Sequence, residues 1–168
     1  MLFPQLCPRK PLVFQRSNYL GYSLVKKSKP LALIVDLRGY HFGKKIPGEM
    51  ESLVSSAGIK VVFTISGRCD HPSPETFARK GKVLEIRDFA IRHKVALIVF
   101  NHELSAVQQR NLEKIIGFQV IDRSTLILDI FAQRAKSHEG KLQVELAQLQ
   151  HLTTRLIRGW THLERQKG

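Results

Sequence analysis

The sequence predicts an α/β fold: a four-stranded, mostly parallel sheet with flanking helices, followed by a helical subdomain that reads as an incomplete helical hairpin. Three observations predict it. Between residues 31 and 122, short apolar or β-branched runs alternate with stretches of helical period. Glycines, prolines and capping residues fall between them. After Asp122 the strand pattern stops and two helical stretches follow. Strands joined by helices imply a parallel sheet with right-handed crossovers.

Leu31–Leu37 is a nearly continuous apolar run, as expected of a strand buried on both faces. Gly39, Gly43, Pro47 and Gly48 punctuate the loop after it. A short helix over about 48–57 closes at Gly58, a residue that tolerates the left-handed conformation of a C-cap. Ile59–Ser66 is β-branched-rich and predicts a second strand. A turn spans Gly67–Pro74. Ser73 before Pro74 predicts a helix start, because proline suits the first helical position. Gly81 interrupts that pattern. The helix over about 82–93 presents Val83, Ile86, Phe89, Ala90 and His93 at helical spacing.

Val95–Phe100 predicts a third, buried strand. Ser105 and Gln108 form a capping box, the serine accepting from a free backbone N–H while the glutamine reaches back. That helix runs to Ile116 and stops at Gly117. Phe118–Ile121 is a fourth, short strand. Ser124 then caps a helix over about 125–136, in which Leu126, Ile127, Leu128, Ile130 and Phe131 are apolar nearly all round and predict burial. A last helix over about 139–157 carries one stripe, Leu142, Leu146, Leu149, Leu152 and Leu156, that reads as a packing seam. Gly159–Gly168 reads as a basic loop. The domain reading is a basic extension over 1–30, an α/β subdomain over 31–123, and a helical subdomain over 124–168.

Composition narrows the function classes. The 168 residues suit one domain, or one with a small appendage, and 43% hydrophobic with 24% charged residues reads as globular. The formal net charge of +13 sits unevenly: residues 1–30 hold six cations and no acid, and residues 141–168 hold five cations against two acids. Basic ends suit a polyanionic partner, and equally a solvated surface. Cys7 and Cys69 form neither a CxxC nor a disulfide framework. No apolar run approaches the roughly 20 residues of a membrane span. The first 30 residues lack a signal-peptide core, and although acid-free like a transit peptide they carry Pro4, Pro8 and Pro11, which spoil an amphipathic helix, so the expected location is cytoplasmic.

Catalytic motifs are mostly lacking. Gly39–Lys45 comes closest to a P-loop, but it is one residue short and has lysine where serine or threonine would bind magnesium. Asp36–Gly39 fits only the loose DxxG pattern, and no GxGxxG occurs. No HExxH or zinc-finger spacing predicts a metal. In open parallel sheets the strand carboxyl ends line the ligand crevice. That places Asp36, Asn101, His102, Glu103 and Asp122 as candidate ligand residues. The plainer reading of His102-Glu103 is a loop entering a capped helix, and that of Asp122-Arg123 an ion pair or helix-entry bonds, ahead of catalysis in both cases. His93 reads as a core-edge histidine. A second cluster, Arg155, Arg158, Trp160, His162, Arg165 and Lys167, interleaves cations with an aromatic. Arginine forks match phosphates and tryptophan stacks on bases, although a solvated basic linker has the same composition.

Longer segments carry a resemblance. Ile121–Ala135, His138–Leu149 and Trp160–Gln166, with Gly81-Lys82 and Glu103–Leu112 upstream, resemble HflX-type GTPases over roughly 31–168. The resemblance implies an α/β N-terminal subdomain, a helical hairpin, and then a GTP-hydrolysing domain. It implies association with the large ribosomal subunit and its RNA, and splitting of stalled or idle ribosomes. The first hairpin helix would correspond to 139–157, and the tip, which in the family reaches toward the peptidyl-transferase centre, would begin with Arg155–Gly168. The six residues of the basic cluster are then candidate ribosomal-RNA contacts.

Two departures matter. The family's Gly-rich stretch, returning helix and P-loop are absent from these 168 residues, and Arg79–Lys82 stands where the family often has Gly-Lys-Gly-Lys. The expectation is a chain truncated before its GTPase domain, not catalytic alone, with no cofactor of its own; GTP and magnesium belong to the absent domain. ATP binding has been proposed for the family's N-terminal domain, but no residue here maps to it. The alternatives are a stand-alone α/β nucleotide or small-molecule module using the crevice, or an inactive product of an interrupted gene. Without a returning helix, the leucine stripe over 142–156 should fray, dock back on the core, or self-associate.

Overall fold

The computed structural model describes residues 29–38 and 48–164. Its elements are β1 (Leu31–Arg38), α1 (Glu49–Ser56), β2 (Lys60–Arg68), α2 (Lys80–His93), β3 (Leu97–Phe100), α3 (Ala106–Ile116), β4 (Gln119–Asp122), α4 (Arg123–Arg134) and α5 (His138–Glu164). The four strands are all parallel, in the order β2-β1-β3-β4. The predicted fold class is the observed one.

β1 is apolar along its length because both its faces are covered. Leu33, Val35 and Leu37 pack with Val83, Ile86 and Ala90 of α2 and Leu112 and Ile116 of α3. Ala32 and Ile34 pack with Met50 and Val54 of α1 and Leu126 and Ile130 of α4. The chain passes from β1 outward to β2, then returns across β1 to β3. Its direction therefore reverses between β1 and β3, where open α/β sheets place a crevice.

Local signals set most boundaries. Ser105 accepts from Gln108 N at 3.2 Å while the Gln108 side chain accepts from Ser105 N at 2.9 Å, so the capping box forms. Gly58 and Gly117 take φ of 77° and 78°, just past α1 and α3. His93 is exposed and stacks on Phe89 at 4.1 Å.

Four expectations are corrected. Ser73-Pro74 starts no helix. Ser73 and Phe77 exchange two backbone bonds of 2.9 Å, and Phe77 takes φ 60°. Burying the Phe77 ring beside Phe100 and His102 draws this segment inward, and α2 begins only at Lys80. The cap of α4 is Asp122, not Ser124: its Oδ1 accepts from Thr125 N at 3.0 Å, which starts the helix two residues earlier than expected. α4 is not buried all round, since Phe131 is 56% exposed; α1, the sheet and α5 leave its outer side open. Finally, Gly159–Glu164 is helix rather than loop. A single glycine costs a helix only about 1 kcal/mol relative to alanine, and no proline stops α5.

The leucine stripe is uncovered among the described residues: Leu142, Leu146, Leu149 and Leu152 are 37–57% exposed. α5 docks through the opposite face. Gln148, His151 and Arg155, spaced three and four apart, turn toward α3, α4 and the sheet edge. The stripe itself does not dock back on the core: α5 packs through its other side and leaves these leucines exposed.

Candidate functional site

The carboxyl ends of β1 and β3 bring together three of the crevice residues. Asp36, Asn101 and His102 are all more than nine-tenths buried. Asn101 Nδ2 donates to Asp36 Oδ1 at 3.2 Å. Arg123 Nη1 donates to Asn101 Oδ1 at 3.1 Å, and its other arm pairs with Glu49 at the start of α1. A hydrogen-bonded chain thus runs Glu49–Arg123–Asn101–Asp36 across the junction. Buried polar groups persist when partnered in this way.

His102 is buried at the same junction. Its Nε2 accepts from Leu37 N at 3.1 Å, and its ring stacks on Phe77 at 4.9 Å. An accepting Nε2 carries a lone pair, so the 3.9 Å approach of Asp36 Oδ1 to that nitrogen is proximity rather than an ion pair.

Glu103 and Asp122 do not join this group. Glu103 is exposed and accepts from Ser124 Oγ at 3.0 Å. Asp122 is occupied by Thr125 N and Oγ1, by Leu104 N at 3.4 Å, and by Arg155 Nη2 at 2.6 Å. It is a helix cap and an ion-pair partner, with no side left for a ligand.

The second cluster divides. Arg155 turns inward, with its guanidinium between Asp122 and the Gln109 side chain. Arg158, Trp160 and His162 lie on the final turns of α5. Arg165 and Lys167 fall outside the described residues, as do Gly39–Lys45 and the extension over 1–28. Sequence reasoning missed Gln109 and Glu49 altogether. Nothing in a glutamine mid-helix announces a partner 46 residues away.

Among the described residues, Asp129, His151 and Cys69 have titration shifted by burial. Burial raises Asp129 on α4 to about 6. Burial, then the Arg155 charge, lowers His151, while Asp122 and Glu103 oppose them. Burial raises the Cys69 thiol, which donates to Phe77 O at 3.6 Å. Among the described residues, no three His, Cys, Asp or Glu side chains are grouped to hold a metal ion. No helix among them is long and apolar enough to cross a membrane.

Comparison with known proteins places this arrangement. The family described as GTP-binding GTPase N-terminal matches residues 46–132, and GTP-binding GTPase Middle Region matches 134–168. The chain belongs to the HflX family of GTPases. It is 58% identical to the GTPase HflX of Escherichia coli K12 over 120 residues, 71% of this chain and 28% of that protein. It is 46% identical to GTPase HflX of Flavobacterium psychrophilum over 125 residues, 74% of this chain and 30% of that one. The chain therefore spans less than a third of these HflX relatives. A solved GTP-binding protein of Sulfolobus solfataricus in complex with GDP superposes with a TM-score of 0.60 at 25% identity, over 80% of this chain and 40% of that one. The HflX boundary between N-terminal and middle regions falls where α4 gives way to α5.

Proposed function

We propose that these residues form the ribosome-facing N-terminal region of an HflX-type GTPase, which associates with the large ribosomal subunit and takes part in splitting or rescuing ribosomes. The observation that carries this reading is α5. Its 27 residues extend about 40 Å at 1.5 Å each, more than twice the reach of α4, and its far end holds Arg158, Trp160 and His162. Arg165 and Lys167 continue the cluster in sequence. A long helix ending in cations and an indole suits entry into an RNA-lined space, where arginine forks meet phosphates and the indole stacks. GTP hydrolysis, and with it GTP and magnesium, belongs in this reading to the family's GTPase domain. The cytoplasm is the location it implies.

Co-sedimentation with purified large subunits across a salt series tests the proposal. Binding through Z phosphate contacts should weaken on a log–log plot with a slope of about −0.7Z to −0.9Z. Absence of binding even at low salt would sink it.

A second reading rests on the three buried polar residues at the β1–β3 junction: a nucleotide or small-molecule module. Calorimetry with ATP, GTP and their diphosphates separates the two. Tight binding lost in Asn101→Ala but kept in Arg158→Ala and Trp160→Ala would favour the module. The mutual bonding of Asp36, Asn101 and Arg123 favours a structural role for the crevice, and so the first reading.

A further inference from the structure

We infer that Arg155 is a positioning residue: its guanidinium, bridging Asp122 and Gln109, fixes the angle at which the α5 arm leaves the α/β subdomain.

The lengths pose the problem. α4 has 12 residues and α5 has 27, so α4 flanks less than half of the arm. Apolar packing does not steady the remainder. The leucines face away; past Val144 and Ala147, which are half-buried, the inward residues Gln148 and His151 are polar. The Gln148 Nε2 is buried without a partner. Arg155 lies 17 residues beyond His138, about 26 Å along the axis, where support from α4 has ended.

There the arm is tied. The Arg155 side chain is 16% exposed and that of Asp122 is 1% exposed. One nitrogen donates to Asp122 Oδ2 at 2.6 Å and the other to Gln109 Oε1. Both acceptors are held in turn. Asp122 Oδ1 caps α4 through Thr125, and Gln109 Nε2 donates to Val120 O at 2.7 Å. The fork therefore grips two elements, the β4–α4 corner and α3, through groups that cannot swing. Two points of attachment define an angle where one would define only a pivot. Lysine, a compact point charge with rotatable donors, lacks the rigid fork that holds both acceptors in one geometry.

The biological use of that angle rests on the ribosome reading; the angle itself does not. Two measurements on the 168-residue chain separate the claims. First, spin labels at Ala96→Cys and Glu164→Cys, with Cys7→Ser and Cys69→Ala, report the arm against the subdomain. One narrow distance is expected, broadened in Arg155→Met, Arg155→Lys and Gln109→Leu at unchanged helix content. A narrow, unshifted distance in all three overturns the inference. Gln109 keeps the test open should an Arg155 variant fold poorly. Second, large-subunit binding should weaken about ten-fold in both Arg155→Met and Gln109→Leu, since a wandering arm must be ordered on binding. The salt slope should stay at the wild-type value. If Arg155 instead touched phosphate, its loss would reduce the slope by about 0.7–0.9 and Gln109→Leu would bind normally, which would also overturn the inference. Failure of the unaltered chain to sediment would count against the ribosome reading alone, with the distances still deciding the role of Arg155.

Discussion

Asn101 donates to Asp36 across the β1–β3 junction, Nδ2 to Oδ1 at 3.2 Å, although 65 residues separate them in sequence. The same amide accepts from Arg123 through its oxygen. One buried side chain thus couples the two central strands to the start of α4. Asn101→Ala would take a partner from each of two ionic groups, in a site that admits little water. A loss of about 1–3 kcal/mol is expected, measured by urea unfolding. A change under about 0.5 kcal/mol would mean that the junction is held by backbone pairing alone.

The two arginine–carboxylate pairs should differ in worth. Asp122 is 1% exposed and also caps α4, whereas the Arg123–Glu49 pair is about one-third exposed. Asp122→Ala removes a cap worth about 0.5–2 kcal/mol and strands a largely buried guanidinium, so a total above about 2 kcal/mol is expected. Glu49→Ala should cost within about 1 kcal/mol. Equal losses would show that burial is not what separates the pairs.

Asp129 gives the chain a pH dependence of definite sign. Burial raises its carboxyl from 3.8 to about 6 in the folded state. Between those values the folded state binds the proton more tightly than the unfolded state does. Its contribution to stability therefore falls as pH rises from about 4 to 6, then levels off. Asp129→Asn should flatten that part of the profile and stabilise the chain at pH 7. Parallel profiles for the two proteins, from denaturation at fixed pH steps, would contradict this.

The leucine stripe should make the chain associate. Leu142, Leu146 and Leu149 recur at four and three residues and are 45–57% exposed on the side of α5 away from the core. Sedimentation velocity is expected to show mass rising with concentration, and Leu142→Gln with Leu146→Gln to restore a monomer. A wild-type chain that stays monomeric throughout would rule out the stripe as a self-association surface.

Local patterns carried the elements well. The Ser105–Gln108 box, the glycines after α1 and α3, and the apolar run of β1 are read within a few residues, because capping and two-sided burial leave their mark on neighbouring positions. The errors share one cause. Ser73-Pro74 looked like a helix start because nothing nearby shows that Phe77 is wanted in the core. Ser124 looked like the cap because Asp122, two residues earlier and at the end of β4, serves both ladder and helix. Phe131 looked buried because helical periodicity reports how apolar a face is, not whether anything covers it.

The candidate site divides in the same way. That Asp36, Asn101 and His102 would share a crevice followed from their places at strand ends, once the strands were taken as parallel. That Glu103 would face solvent, that Asp122 would be fully occupied, and that Arg155 would turn inward did not follow. Sequence by itself determined the α/β order, the two-sided burial of β1, the leucine face of α5 and the basic far end of that helix, since each depends on residues within a few turns of one another. Only the tertiary structure decided that the polar face of α5 docks, and that Arg155 lies between Asp122 and Gln109, 33 and 46 residues away. A charged fork has many possible partners along a chain, and only folding selects which buried acceptors stand within its reach.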